Sequence, residues 1–412
     1  MLRCGLLGRK LGHSYSPQIH NLLGDYSYVL FEKEPEELEN FLKNGEFSGL
    51  NVTIPYKKEV IPYLSELSPT AQKMGCVNTV LRRSDGTLYG HNTDYFGFTS
   101  LVRHAGLSVA GKKVLVLGSG GASNTAVAAL KDLGASPVVI SRSGENNYGN
   151  LHLHRDAAAI VNATPVGMYP NTGVSPIDLK LFPHLEGVLD VIYNPARTQL
   201  LLDAEKLGIP RENGLWMLVA QAKEAAEVFT GGKISDEVIE KIYRRLSHQM
   251  KNIVLIGMPG CGKSTIGTLL AEKLGRTLAD ADEKIISLAG KSIPDIFAQD
   301  GEPTFRDWET KALAELGKQS GLVIATGGGC VTIPANYEAL HRNGTIVWLK
   351  RDLNALPTDG RPLSQAGKLE AMYQKRAPMY AAFSDFSVEN TRSPEKTAEE
   401  ICQRLSEGRT AQ

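Results

Sequence analysis

The sequence predicts an α/β chain built from parallel-sheet domains, and three observations lead there. An apolar strand, Ile253 to Ile256, empties into Gly257-Met258-Pro259-Gly260-Cys261-Gly262-Lys263-Ser264. A second apolar strand, Lys113 to Leu117, opens into Gly118-Ser119-Gly120-Gly121-Ala122 and a helix through Leu133. Buried parallel strands read as continuous apolar runs, and a glycine turn feeding a helix N-terminus converges backbone N–H groups on phosphate oxygens. The first of these loops normally follows the first strand of its domain, yet a complete domain's length of chain precedes it here, so a second module begins near Met250.

Composition narrows the function. At 412 residues the chain exceeds one ordinary core. It has 25 basic and 25 acidic residues before Met250 and 20 of each after it, so neither half is a polyanion binder and no nucleic-acid partner is expected. No apolar run approaches membrane-spanning length, and Met1 to Leu7 is too short for a signal peptide and leads directly into a strand. Cys4, Cys76, Cys261, Cys330 and Cys402 are scattered without metal-ligand spacing and read as reduced thiols of a cytoplasmic protein.

In chain order, Arg3 to Leu7 forms a short buried strand, and Gly8 to Pro17 leads to a helix from Gln18 to Leu23 with Ser14 and Ser16 just ahead of it. Hydroxyls there read first as helix caps. An acidic amphipathic helix follows from Pro35 to Asn44. The strand from Gly49 through Thr53 ends at Pro55 and delivers Lys57 to the start of a helix, where a lysine is usually solvated. Cys76-Val77-Asn78-Thr79 and Gly90-His91-Asn92-Thr93-Asp94 are further strands ending in small polar residues plus one acid. Lys113 to Leu117, the helix to Leu133 and the strand Val138 to Ile140 make a Rossmann βαβ unit. Its second strand ends in Ser141-Arg142-Ser143, with no acid for a ribose 2′-hydroxyl, so Arg142 suits a 2′-phosphate and favours NADP over NAD. Strands at Ala159 to Asn162 and Val188 to Ile192 lead into Ala163-Thr164-Pro165-Val166-Gly167-Met168 and Tyr193-Asn194-Pro195, and Gly214 opens the last helices through Gln221.

This motif set, in this order, resembles shikimate dehydrogenase from Met1 to about Leu246. The resemblance implies a substrate-binding α/β domain over residues 1–100, completed by helices in 216–248, and a Rossmann NADP-binding domain over 101–215. It implies that Ser14, Ser16, Thr53, Asn78, Tyr193 and Gln221 hold the substrate's carboxylate and hydroxyls, with Lys57 and Asp94 as the catalytic pair. It also implies Gly118, Gly120, Gly121 and Ala122 under the pyrophosphate and Arg142 on the 2′-phosphate. Thr164, Gly167 and Met168 would line the nicotinamide end, and Gly214 would also bind cofactor. The chemistry is coherent: hydride delivered to a ketone leaves an alkoxide, and a lysine ammonium supplies both charge and proton. The chain departs from the family between Ser143 and Arg155, which is short, Gly- and Asn-rich, and weakly periodic.

After the phosphate loop, Ile266 to Leu274 is its helix, and Thr277-Leu278-Ala279-Asp280-Ala281-Asp282 reads as a strand with two acids on one face. The loop pattern puts Lys263 on the β and γ phosphates of ATP and Mg²⁺ on the Ser264 hydroxyl, and one of the two acids suits the same metal shell. Ile293 to Phe297 leads to Phe305-Arg306, and Val323 to Ala325 ends in Thr326-Gly327-Gly328-Gly329. Ile346 to Leu349 closes the sheet before Arg361-Pro362-Leu363 and Arg376-Ala377-Pro378-Met379-Tyr380. These motifs resemble shikimate kinase from about Lys251 to Leu405, a P-loop kinase domain over 251–412. The resemblance implies ATP on Gly257, Pro259, Gly260, Cys261, Gly262, Lys263, Ser264 and Thr265, with Asp280 joining Ser264 at the metal. Arg306 and Arg376 would grip the shikimate carboxylate bidentately. Gly328 and Gly329 would present backbone to the ring, Asp282 would bond the reacting hydroxyl, and Arg361 would swing in on a lid shorter than usual. Cys261 reads as a small filler, since neither motif asks for thiol chemistry.

The combined reading is a bifunctional enzyme that reduces 3-dehydroshikimate with NADPH and phosphorylates the resulting shikimate with ATP. Two alternatives stand beside it. A regulatory protein could sense shikimate or nucleotide without turnover, against which Lys57, Asp94, Lys263, Asp282 and Arg361 are all present. A quinate-using dehydrogenase half is opposed by the paired Ser14 and Ser16. Ser247-His248-Gln249-Met250 is the candidate linker, and halves of about 250 and 160 residues are each long enough to fold alone.

Overall fold

The computed structural model describes residues 1–12, 14–356 and 366–407. The chain forms two compact units, Met1–Tyr193 with Thr198–Arg245, and Asn194–Arg197 with Leu246–Gln412. The first unit holds two sheets. One contains β1 (Arg3–Gly8), β2 (Ser27–Glu32), β3 (Gly49–Val52), β4 (Glu66–Leu67), β5 (Thr79–Arg82) and β6 (Leu88–His91) in the order β2-β1-β3-β5-β6-β4. It is mixed: β5 runs antiparallel to both β3 and β6. The other contains β7 (Lys113–Leu117), β8 (Ser136–Ile140), β9 (Ala159–Asn162), β10 (Gly187–Asp190) and β11 (Arg211–Glu212), all parallel, in the order β11-β10-β9-β7-β8. Its apolar runs are explained by burial on both faces. Leu115 and Leu117 pack with Ile160 and Val188 on one side, and Val114 and Val116 with Val161 and Leu189 on the other.

The second unit carries one parallel sheet of β12 (Asn252–Ile256), β13 (Leu278–Asp280), β14 (Val323–Ala325), β15 (Gly344–Lys350) and β16 (Phe386–Glu389), in the order β13-β14-β12-β15-β16. Its central strand β12 is fully buried and ends directly under the glycine loop. Among the described residues no helix is long and apolar enough to cross a membrane. Cys4, Cys76, Cys261 and Cys330 are free and buried, and Cys402 is free and partly buried.

Several local expectations need correction. The first helix is Ser16–His20, placed by Pro17 in its first turn, and neither nearby hydroxyl caps it: Ser16 lies inside the helix, and the Ser14 hydroxyl accepts the Ser16 N–H at 3.2 Å. Lys57 does not open a helix: its carbonyl accepts the N–H of Val77 at 2.8 Å, and Tyr56 to Val60 stay in turns. Asp280 and Asp282 do not alternate along one strand. β13 stops at Asp280, whose carboxylate accepts the Asp282 N–H at 2.9 Å and caps the helix Ala281–Ala289. Ser247 to Met250, the candidate linker, forms the last turn of the helix Glu237–Met250. There the buried stripe Ile239, Ile242, Leu246, Met250 outweighs the polar residues between them. Arg361 lies outside the described residues.

Candidate functional site

Lys57 and Asp94 meet in the first unit. The ammonium donates to the carboxylate at 2.6 Å, and the side chains are 28% and 16% exposed, so the pair is accessible yet partly desolvated. Thr53 follows the end of β3, with its N–H on the Leu7 carbonyl. Asp94 opens the helix Asp94–His104, which packs on the helix Leu215–Thr230 carrying Gln221. Gly97 permits that approach, since a Cβ there would stand 2.8 Å from the Met217 carbonyl and 2.9 Å from the Gln221 Cβ. The Asn78 amide donates to the Thr93 hydroxyl at 3.0 Å and to Gln221 Oε1 at 3.3 Å, and accepts the Thr93 N–H at 2.7 Å. A polar stripe continues beneath: Tyr28 donates to Asn51 Oδ1 at 2.7 Å, Asn51 to Thr79 at 3.3 Å, and Thr79 to Asn78 at 3.1 Å. Ser16 joins this stripe through a hydrogen bond to Tyr28. Tyr193 meets the same region through Tyr15, ring edge to face at 6.3 Å. His20 stacks on Tyr28 at 3.9 Å, and complete burial pulls its imidazole down to about 3, which keeps it neutral. Sequence reading passed over Tyr28, Asn51 and Thr93; the one signal was a polar Asn51 between apolar Leu50 and Val52 in a buried strand.

The residues expected at the cofactor follow the carboxyl ends of β7, β8, β9 and β11. Gly118 takes a φ of +102°, and a Cβ there would touch the Thr164 methyl at 3.0 Å. Gly120 and Gly121 begin the helix Gly121–Asp132, with no protein atom within 4 Å of where a Cβ would project. Asn162 Oδ1 accepts both the N–H (3.1 Å) and the hydroxyl (2.7 Å) of Thr164, whose hydroxyl oxygen accepts the Val166 N–H at 3.2 Å. Gly167 has a φ of +95° and Met168 is exposed. Gly214 donates its N–H to the Ile192 carbonyl at 3.0 Å. Arg142 is exposed just past β8, beside Tyr148, whose phenol burial raises and the arginine charge lowers. The chain returns there through a bridge between Ser141 and Asn147.

In the second unit Lys263 begins the helix Lys263–Leu274, is 8% exposed, and donates to the carbonyls of Gly257 (3.0 Å) and Met258 (3.1 Å). Ser264 donates to Asp280 at 3.1 Å. Pro259 of the loop presses against Gly328, where a Cβ would stand 2.6 Å from the proline ring. Arg306, on the helix Gly301–Gly317, is gripped by Glu309 at 2.7 Å and Glu302 at 2.9 Å. Arg376 donates to the Gly328 carbonyl at 3.1 Å, beside the Tyr380 hydroxyl on the same oxygen. Gly329 leaves the room that the Arg306 guanidinium fills, and Gly327 lies over Glu309 Oε1 and Asp282 Oδ1. Burial pushes the Glu309 carboxyl up while Arg306 pulls it down. The structure thus brings Asp282, Arg306, Arg376 and the glycine triplet to one place, and adds Glu309, which the sequence reading had not assigned a role.

Residues 6–80 match the model of the shikimate dehydrogenase substrate binding domain, and residues 259–406 match that of shikimate kinase. A shikimate dehydrogenase (NADP(+)) of Clostridium perfringens (strain SM101 / Type A) is 37% identical over 264 residues, covering 59% of this chain and 97% of that protein. Shikimate dehydrogenase 1 of Peptoclostridium difficile superposes with a TM-score of 0.55 at 39% identity, over 60% of this chain and 98% of that one. The shikimate 5-dehydrogenase of Thermus Thermophilus, solved with NADP(H) and shikimate, gives 0.55 at 33% identity, over 60% and 99%. The two phosphate-loop architectures and these likenesses agree: the chain belongs to the shikimate dehydrogenase family over its first unit and continues into a shikimate kinase domain, a bifunctional enzyme of the shikimate pathway.

Proposed function

We propose that the first unit reduces 3-dehydroshikimate at the Lys57–Asp94 pair and that the second phosphorylates shikimate beside Asp282. The observation that carries this is the partly buried Lys57–Asp94 contact at 2.6 Å next to the hydrogen-bonded set Asn78, Thr93 and Gln221. The residues present fit the implied groups. Open space over Gly120 and Gly121 at the head of a twelve-residue helix suits a pyrophosphate, and exposed Arg142 suits a 2′-phosphate. The Ser264 hydroxyl and Asp280 carboxylate, in contact at 3.1 Å, form an oxygen pair suited to Mg²⁺. When bound, NADPH supplies the hydride and Mg²⁺-ATP the phosphoryl group.

The chain's own residues do the rest. Lys57 gives a proton to the oxygen left on the reduced carbon, and Asp94 aims the ammonium and stabilises its charge. Ser14, Ser16, Thr53, Asn78, Tyr193 and Gln221 orient the carboxylate and ring hydroxyls. In the kinase, Arg306 and Arg376 hold the carboxylate, Glu309 keeps Arg306 in place, and Asp282 takes the proton of the attacking hydroxyl. Lys263 neutralises charge on the transferring group, and we assign Arg361 to the same task. Free thiols and dependence on NADPH and ATP favour a cytoplasmic setting. A coupled assay supplied with 3-dehydroshikimate as the sole carbon substrate should show NADPH oxidation followed by ADP release in equal amounts. NADPH oxidation without ADP release, in protein that phosphorylates added shikimate, would mean that the first unit makes a different product.

A further inference from the structure

Asp190, the last residue of β10, is a fully buried carboxylate outside the catalytic pair. Asn162 Nδ2 donates to both its oxygens at 3.1 Å, the Thr198 hydroxyl to Oδ2 at 2.7 Å, and the Ile192 N–H to Oδ1 at 3.0 Å. An ionised carboxylate only accepts, so Asn162 has to turn its NH₂ toward Asp190. Its carbonyl oxygen then faces the other way, where it accepts the N–H and hydroxyl of Thr164. The Thr198 side chain also stands 3.1 Å from where a Gly167 Cβ would project, and Ile192 precedes Tyr193. One carboxylate therefore holds the Thr164–Met168 turn on one side and the approach to Tyr193 on the other.

We propose that Asp190 is a positioning residue for hydride transfer, acting by fixing which way the Asn162 amide faces and so the placement of the Thr164–Met168 turn. This rests on the reading that the turn lines the nicotinamide end of the cofactor. Asp190→Asn keeps the shape but places an NH₂ against the donors Asn162 and Thr198. Either a hydrogen bond is lost or Asn162 flips and offers Thr164 an NH₂ in place of its oxygen. Both outcomes loosen the turn, and a reacting geometry displaced by about 1 Å costs up to roughly 100-fold in rate.

The test uses the full chain, with its shikimate phosphorylation as an internal control on protein concentration and the thermal melt of the first unit as the control on folding. For Asp190→Asn, kcat for 3-dehydroshikimate reduction should fall roughly tenfold or more. The KM for 3-dehydroshikimate should hold, and the primary isotope effect with 4-deuterated NADPH should rise as hydride transfer becomes limiting. Thr198→Val should show a smaller version of the same change and Thr198→Ser should restore wild-type behaviour. This pair decides the matter if Asp190→Asn does not fold. A brace with no catalytic consequence predicts a lowered Tm with kcat and isotope effect unchanged, and that result overturns the proposal. Met168→Ala and Thr164→Val separate the two levels. If they raise the KM for NADPH while Asp190→Asn and Thr198→Val leave kcat alone, only the role of Asp190 fails. If they leave NADPH untouched, the nicotinamide assignment fails and takes this proposal with it.

Discussion

The chain's two phosphate loops both join a buried parallel strand to a helix, yet beyond the first glycine of each they use glycine differently. In the kinase loop the protein itself occupies the space: a Cβ on Gly257 would stand 2.5 Å from the Leu349 carbonyl, and one on Gly262 2.7 Å from the Asn390 amide. That amide donates to the Cys261 carbonyl at 2.8 Å, and its own oxygen accepts the Thr397 hydroxyl at 3.0 Å, so the loop is braced from behind. In the dehydrogenase loop, Gly120 and Gly121 face no protein atom within 4 Å. There the need for a small residue comes from what binds. Gly118, at a φ of +102° and against Thr164, is shaped by the fold as the kinase loop is, but Gly120 and Gly121 are not, so the same substitution should read as instability at Gly257 and as weakened binding at Gly120.

The strongest way to break this comparison is to remove each unit's lysine. Lys57→Ala should cost about 10² to 10⁴ in 3-dehydroshikimate reduction. Lys263→Met should cost at least about 10² in phosphoryl transfer. Each should spare the other activity in steady-state assays on one preparation, and parallel loss of both in folded protein would mean that the sites are coupled. Next comes glycine itself. Gly257→Ala, at a φ of +145°, should destabilise the second unit by at least about 1–3 kcal/mol and lower its melting transition. Gly120→Ala should stay within about 0.5 kcal/mol of wild type in thermal melts while raising the KM for NADPH. Equal destabilisation by the two would erase the distinction.

Acid should sharpen the contrast within the first unit. Neutral His20, held at about 3, contributes stability that is complete above pH 6.5 and is lost as pH falls toward 3, at about 1.4 kcal/mol per pH unit. Asp190, pushed up to about 6 by burial, works the other way. Its contribution is full below about pH 4 and is lost as pH rises through 6, amounting to about 3 kcal/mol. Asp190→Asn should therefore lose stability between pH 8 and pH 5 by roughly 1 kcal/mol more than wild type in denaturant titrations. A shallower acid loss in the variant would show that burial does not raise this carboxyl. The smallest effect is on cofactor choice: Arg142→Glu should weaken NADPH relative to NADH by about 1.5–3 kcal/mol, read from the two Michaelis constants. An unchanged ratio would move 2′-phosphate recognition to another residue of the 141–150 turn.

Both phosphate loops were legible because their chemistry is written locally: a strand, glycines, then a charged or hydroxyl side chain at fixed spacing; Lys57 has no such pattern around it and drew a role only from the resemblance. Residues recruited through the fold were not. Asn51 and Tyr28 touch across β1, 23 positions apart, and nothing in either neighbourhood announces the pairing. Glu309 sits three places after Arg306, a spacing that becomes informative only once Gly301–Gly317 is known to be a helix, where such neighbours face each other. Asp280 and Asp282 misled because an acid ending a strand is also a preferred helix cap, and alternation over three residues cannot distinguish the two. The helical state of Ser247 to Met250 was not legible, because the polar residues Ser247, His248 and Gln249 hide the apolar stripe that Leu246 and Met250 complete.

The burial of the cysteines has a practical side. Cys4, Cys76, Cys261 and Cys330 are shut away from reagents, and burial pushes the Cys4 and Cys330 thiols up to about 12. Cys402, on the helix Pro394–Glu407, is partly exposed, with its thiol raised mainly by burial. A maleimide dye offered to the folded native chain at mildly alkaline pH will attach slowly and at this one position. Spectroscopy on the kinase unit can then proceed with every cysteine of the natural sequence left in place.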